Sequence, residues 1–141
     1  MKNLVLAYSG GLDTSYCAKY LSADQGFEVH AVSVNTRGFT DLDFKEMETK
    51  AYALGVSNFK AIDAVQTFYE KVVKYLIFGN VLKNNTYPLS VSAERIVQAI
   101  EIISYAKKIG AGFIAHGSTG AGNDQVRFDL IFSILAPEIQ I

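Results

Sequence analysis

Two segments of the chain combine residue types that could do chemistry. Ser9-Gly10-Gly11-Leu12-Asp13-Thr14-Ser15 follows an apolar run and opens a helical pattern. Its glycines let the backbone approach a ligand and take positive φ where needed. The amino end of the helix offers N–H groups without helical partners and a partial positive charge, and Ser9, Thr14 and Ser15 add hydroxyls. These are the requirements of an anion site, above all a phosphate site. No Gly-Lys-Ser/Thr follows, so the turn is not a Walker A loop, and the Gly-x-Gly-x-x-Gly spacing of a dinucleotide turn is absent. A bare carboxylate at Asp13 would repel phosphates. It either caps the helix, which is the expectation, or helps hold a Mg2+ that offsets the charge.

The second segment is Ala115-His116-Gly117-Ser118-Thr119-Gly120-Ala121-Gly122-Asn123-Asp124-Gln125-Val126-Arg127-Phe128. Gly117, Gly120 and Gly122 permit a loop that closes over a ligand. Thr119, Asn123 and Asp124 offer donors and acceptors for the carboxylate and ammonium of an amino acid, and Arg127 supplies a planar fork of donors. With a helix starting near Asn123, Asn123 and Arg127 share a face at i, i+4. His116 stands beside this loop, either structural or touching a phosphate. Arg95 could reach a phosphate or a carboxylate.

The elements that must position these segments alternate. Leu4–Tyr8 reads as a buried strand, with a helix to about Leu21. Phe27–Asn35 is a second strand, and Asp43–Leu54 a helix ended by Gly55. Asn58–Ile62 is a third strand, and Asp63–Phe78 a helix with an apolar stripe through Val65, Phe68, Tyr69, Val72, Val73 and Leu76. Asn84–Pro88 breaks the pattern. Ser92–Ile109 is a long helix, Gly112–Ala115 a strand, Asn123–Leu135 a helix, and Ile139–Ile141 the start of a last strand. This order predicts an α/β fold: a doubly wound, parallel, five-stranded sheet with helices on both faces. Ligands of such sheets sit at the carboxyl ends of the strands, near the point where strand order reverses. Both segments fall there.

Composition narrows the classes. One domain, residues 1–141, is expected from 141 residues of which 50% are hydrophobic and 19% charged. A net charge of −1 provides no general field for a polyanion, so long nucleic acid is disfavoured. The single cysteine, Cys17, cannot form an intramolecular disulfide and is expected to pack within the first helix. His30 reads as structural, and the Tyr and Phe residues as core. No metal-ligand spacing of His and Cys occurs. No secretory pattern and no apolar run of ~18 residues appears, so a cytoplasmic setting is expected. The strand-like ending suggests the first domain of a longer chain.

The string Ser9–Ser15 resembles the pyrophosphate loop of the ATP pyrophosphatases, which cleave ATP between its α and β phosphates. The segment Ala115–Phe128 closely resembles the Gly-rich segment of argininosuccinate synthases, and Tyr87-Pro88-Leu89-Ser90-Val91-Ser92 their citrulline-contacting segment. The likeness runs in order along the whole chain, which reads as the amino-terminal, Rossmann-like ATP-binding domain of that family. It implies condensation of citrulline and aspartate by ATP, with release of AMP and pyrophosphate, in arginine biosynthesis. It further implies that Ala7, Tyr8, Ser9, Gly10, Gly11, Leu12, Asp13, Thr14, Ser15, Val34 and Gly117 hold ATP. Tyr87, Ser92, Asn123 and Arg127 would contact citrulline, and Thr119, Asn123 and Asp124 aspartate, with Asp124 and Arg127 catalytic. Mg2+, a carboxyl-terminal synthetase and multimerisation domain, and a homotetramer complete the implied enzyme; no nucleic acid or membrane partner is implied.

Departures mark the chain. Ser90-Val91 stands for the family's usual Gly-Thr, Ala121 for a frequent Lys, and Val34-Asn35-Thr36-Arg37 for Ala-Asp-Val-Gly. Rival readings are another pyrophosphate-loop enzyme, of the tRNA-thiolation type, and a non-catalytic ATP-binding module. The first would want a basic surface and reactive cysteines; the second would not need Tyr87–Ser92 or Asn123–Arg127.

Overall fold

The computed structural model describes residues 2–120 and 122–141; the departure at Ala121 lies outside the described residues. Strand β1 (Asn3–Ala7) lies at the centre of the sheet. Beside it run β2 (Glu28–Asn35) and then β3 (Asn58–Asp63) on one side, and β6 (Phe113–His116) on the other. All pairings are parallel. A fifth position is held by one parallel bridge between Phe113 and Gln140, where Ile114 N–H donates to Gln140 O and Gln140 N–H to Gly112 O. The expected last strand is thus reduced to a single rung.

Strand alternation sorts the core into two layers. Leu4, Leu6, Val29 and Ala31 face one way, toward Ala18 of α1 (Leu12–Lys19) and Met47 and Ala51 of α2 (Asp41–Ala53). Val5, Val32 and Val34 face the other way, toward Val97, Ile102 and Ala106 of α5 (Ser90–Ile109) and Phe128 and Phe132 of α6 (Asn123–Leu135). Helices therefore cover both faces, as the βα alternation requires.

Helix boundaries differ from periodicity where capping decides them. Helix α2 begins two residues ahead of Asp43 because Thr40 and Asp43 form a reciprocal capping box: Asp43 N–H donates to Thr40 Oγ1 at 3.3 Å, and Thr40 N–H to Asp43 Oδ2 at 2.7 Å. The helix expected over Asp63–Phe78 runs as α3 (Val65–Phe68), a wider π-type segment (Tyr69–Val73) and α4 (Lys74–Phe78). Its stripe is only half buried, and Tyr69 is exposed. The break at Asn84–Pro88 is a small hairpin, β4 (Leu82–Lys83) against β5 (Tyr87–Pro88), turned by Asn84 and Asn85 at φ 53° and 57°. Tyr16, Tyr20, Tyr52, Tyr75, Tyr87 and Phe78 are exposed as well, which corrects the reading of the aromatic residues as core.

Chain order and strand order reverse at β1: β2 and β3 follow outward on one side, and β6 is added on the other. Ala7 and His116 are register partners at the carboxyl ends of β1 and β6. The β1–α1 turn and the β6–α6 loop consequently leave the sheet side by side.

Candidate functional site

The two loops touch. A Cβ placed on Gly117 would lie 2.9 Å from Thr14 Cγ2, 3.0 Å from Thr14 N and 3.2 Å from the Asp13 carbonyl carbon. Only glycine allows the β6–α6 loop to seat against the amino end of α1. The first helical bond of α1 runs from Ser15 N–H to Gly11 O at 3.0 Å, so the N–H groups of Leu12, Asp13 and Thr14 precede the helical ladder. Gly10 takes φ +73°, and a Cβ there would meet Met47 Cγ at 2.8 Å.

Asp13 does not cap α1. The N-cap is Gly11, with extended backbone and no side-chain cap bond; Asp13 is in the first helical turn. The hydroxyls of this turn are spent within it. Ser15 Oγ donates to Gly11 O at 2.7 Å, Thr14 Oγ1 to the same carbonyl at 3.3 Å, and Gly11 N–H donates to Ser9 Oγ at 3.4 Å. Lys50 of α2 adds a cation, its Nζ donating to Gly10 O at 2.7 Å. Nothing local in the sequence announced Lys50, which lies forty residues along the chain from Gly10.

Two adjoining cavities open at the junction. The first, about 420 Å3, is bounded by the β1–α1 turn, Val34, Phe39, Ile102, Phe128 and a polar group from α5, Glu94, Arg95 and Gln98. The second, about 490 Å3, is bounded by Thr119, Gly122, Asn123 and Arg127. Asp13, Gly117, Ser118 and Asp124 line both.

Of the residues expected from sequence, Ala7, Tyr8, Ser9, Gly11, Leu12, Asp13, Thr14, Val34 and Gly117 border the first cavity. Gly10 and Ser15 are among the lining of neither and shape the turn from behind. Thr119, Asn123, Asp124 and Arg127 border the second. Ser92 joins through Arg127, whose Nη2 donates to Ser92 Oγ at 2.9 Å. Tyr87 is not brought in: it is 48% exposed on the hairpin and lines neither cavity. Helix α6 starts at Asn123, so Asn123 and Arg127 share a face at i, i+4, and the charged partner of Arg127 is Asp124 at i, i+3.

Asp124 is the hub of a side-chain chain. Arg95 Nε donates to its Oδ2 at 3.0 Å, and Arg127 Nη1 to its Oδ1 at 2.7 Å. Partial burial pushes the Asp124 carboxyl pKa up, but hydrogen bonds from Arg95 and Arg127, and their charges, outweigh it and leave the pKa lowered. Arg95 Nη1 also donates to Gln98 Oε1 at 3.0 Å, Gln98 Nε2 to Thr36 Oγ1 at 3.4 Å, and Thr36 Oγ1 to Glu94. From sequence, Arg95 is a candidate and Thr36 only one of the departures, while Glu94 and Gln98 are not singled out. The available signal was the i, i+4 spacing of Glu94 and Gln98 on one face of the helix.

His30 and Cys17 lie apart from the site, as expected. His30 Nδ1 pairs with Tyr105 Oη at 3.1 Å. Burial, then the charge of Asp13, pushes the Cys17 thiol pKa up, which suits a packing role.

Residues 3–141 match the family profile described as the arginosuccinate synthase N-terminal HUP domain. The chain is 47% identical over 138 residues to the argininosuccinate synthase of Pyrococcus furiosus, spanning 98% of this chain and 33% of that one. It is 44% identical to that of Saccharolobus solfataricus (98% and 35%) and 41% identical to that of Lactococcus lactis subsp. cremoris (99% and 34%). The chain thus spans about a third of the length of these curated relatives. Among solved structures, NMN synthetase from Francisella tularensis shares the fold, with TM-score 0.58 at 14% identity over 77% of this chain and 42% of that one. No helix among the described residues is long and apolar enough to cross a membrane. With two glycine-bearing loops abutting at the switch point and a match along nearly its whole length, the chain belongs to the argininosuccinate synthase family.

Proposed function

We propose that this chain binds ATP in the cleft between the β1–α1 turn and the β6–α6 loop. The protein that carries it then condenses citrulline with aspartate to argininosuccinate, releasing AMP and pyrophosphate. The observation that carries this reading is the junction, at Asp13, Gly117, Ser118 and Asp124, of a cavity with both apolar walls (Val34, Phe39, Ile102, Phe128) and polar ones and a second, polar cavity. A nucleotide fits the first, with its phosphates toward the amino end of α1; amino acids fit the second.

In this reaction the citrulline ureido oxygen attacks the α-phosphorus and pyrophosphate leaves. The aspartate amine then attacks the activated carbon, AMP departs, and the amine loses a proton. No enzyme nucleophile is needed, so catalysis is alignment and charge stabilisation. The N–H groups ahead of the α1 ladder suit a departing pyrophosphate; Lys50, whose Nζ donates to Gly10 O behind the turn, braces its backbone. Among the described residues no group of three or more His, Cys, Asp or Glu is placed to hold a metal. A Mg2+ brought in on the phosphates would find Asp13, which lines both cavities, as its protein ligand. When bound, Mg2+ supplies charge neutralisation.

Arg127 and Asn123 would orient citrulline, and Thr119, Asn123 and Asp124 aspartate. An Asp124 carboxylate held ionised by two guanidinium groups suits gripping an ammonium better than removing its proton. The assignment of Tyr87 to citrulline rests on the resemblance. A cytoplasmic homotetramer with a carboxyl-terminal synthetase domain is part of the same proposal. Citrulline-dependent release of AMP and pyrophosphate from ATP by the protein carrying this chain is the test. Release that is independent of citrulline would favour a different pyrophosphate-loop enzyme, and no release a binding module.

A further inference from the structure

His116 ends β6 at the mouth of the cleft, with its side chain only 9% exposed. Its ring stacks on Phe128 at 5.6 Å between centroids and leans on Phe132 at 6.3 Å. Both ring nitrogens are engaged by protein. Nε2 lies 2.8 Å from Asp129 Oδ1, and Nδ1 lies 3.2 Å from the Ser118 amide nitrogen. The other carboxyl oxygen of Asp129 accepts from Gln125 Nε2.

These partners leave one arrangement of hydrogens. An ionised carboxylate only accepts, so Nε2 donates; a backbone N–H only donates, so Nδ1 accepts. The hydrogen bond from His116, opposed by burial and aided by Gln125, keeps the Asp129 carboxyl pKa lowered and so acceptor-only. Neither nitrogen is left for a phosphate, which resolves the alternative left open by sequence. The bond instead fixes the peptide immediately after Gly117, the residue that seats against Thr14 with no room for a Cβ.

We propose that His116 is a positioning residue: its Nε2–H form, held by Asp129 and Gln125 of α6, accepts the Ser118 N–H at Nδ1 and thereby sets Gly117 against the amino end of α1. The inference rests on the reading of this cleft as an ATP site. It assigns to His116, Asp129 and Gln125 the alignment of the loop, with no direct contact to substrate.

The test uses the whole protein carrying this chain, with two substitutions that separate the two nitrogens. Asn carries its side-chain carbonyl near the position of Nδ1, so His116→Asn keeps the acceptor for Ser118. Gln carries its amide nitrogen near Nε2, so His116→Gln keeps the donor to Asp129 and loses the acceptor. Histidine-selective 15N NMR of the parent protein should show Nδ1 bare and Nε2 protonated at His116. Hydrogen exchange should protect the Ser118 amide in the parent and in His116→Asn, and release it in His116→Gln. The KM for ATP should rise about tenfold or more in His116→Gln, with kcat changed less, and stay within about threefold in His116→Asn. A protonated Nδ1, or Ser118 protection retained in His116→Gln, overturns the proposal even if neither variant turns over. Failure of the parent protein to bind ATP would instead sink the functional reading, while ring shifts and amide exchange still decide the role of His116.

Discussion

On the β1 side the cleft is walled by main chain: Gly11 caps α1, the hydroxyls of Thr14 and Ser15 turn back onto Gly11 O, and three amides precede the ladder. On the α5–α6 side it is walled by side chains, Arg95, Asp124 and Arg127, tied to one another and to Ser92. The first wall needs only a strand, two glycines and a helix in sequence, and on the proposed reading it would hold a tetrahedral anion whatever that is attached to. The second brings together residues up to thirty-five positions apart, and its charges offer directional recognition of carboxylate and ammonium. If the proposed function holds, affinity for phosphate and choice of substrate are built from different materials, and substitutions should separate them.

The sharpest separation is expected from Gly117→Ala. The added methyl would meet backbone atoms of Asp13 and Thr14, so the loops must part. ATP affinity by calorimetry should fall on the order of a hundredfold, as for a misplacement of about 1 Å, with the far-ultraviolet circular dichroism unchanged. Undiminished affinity would mean that the main-chain wall is not the phosphate site.

Asp124→Asn leaves Arg95 and Arg127 without their shared anion. The KM for aspartate should rise about tenfold to a hundredfold, a loss of about 1.4–2.7 kcal/mol, while ATP affinity should fall by less than that, since Asp124 only borders the ATP cavity and its loss frees Arg95 beside it. An equal loss for both ligands would erase the division between the walls. Ser92→Ala removes one hydrogen bond to Arg127, and a cost of about 1 kcal/mol translates to about fivefold in the KM for citrulline; no change there would show that Arg127 is held by Asp124 alone.

The smallest effect concerns acid. The Asp124 carboxyl is held below the usual aspartate value of 3.8. Its contribution to stability is therefore present above that value and is lost as pH falls through the lower folded-state value. Denaturant unfolding of the parent and of Asp124→Asn should differ at neutral pH and converge as pH drops below 3.8. A difference that persists in strong acid would assign the effect to shape and not to charge.

The legibility of the site follows the same division. Ser9–Ser15 could be read as an anion turn because its requirements are local: a buried strand, glycines, and a helix start. Gly117, Asn123 and Asp124 were likewise visible as a glycine loop running into a helix. The capping role expected of Asp13 failed because Gly11, one residue before the helix, already occupied the N-cap. The α2 boundary moved because Thr40 and Asp43 cap each other, a signal present in the sequence but outweighed by apolar periodicity.

What the sequence determined by itself is the order and type of elements and the composition of each loop, since period, propensity and turn chemistry act within a few residues. The tertiary structure alone decided which loops meet. Parallel pairing of β6 with β1 set Gly117 on Thr14. Packing of α5 against α6 turned Arg95, Asp124, Arg127 and Ser92 into one network. The same packing gave the ring of His116 to Ser118 and Asp129. Hydrogen bonds between side chains distant in sequence depend on angles fixed only when the two faces of the sheet are covered, and no local pattern encodes those angles.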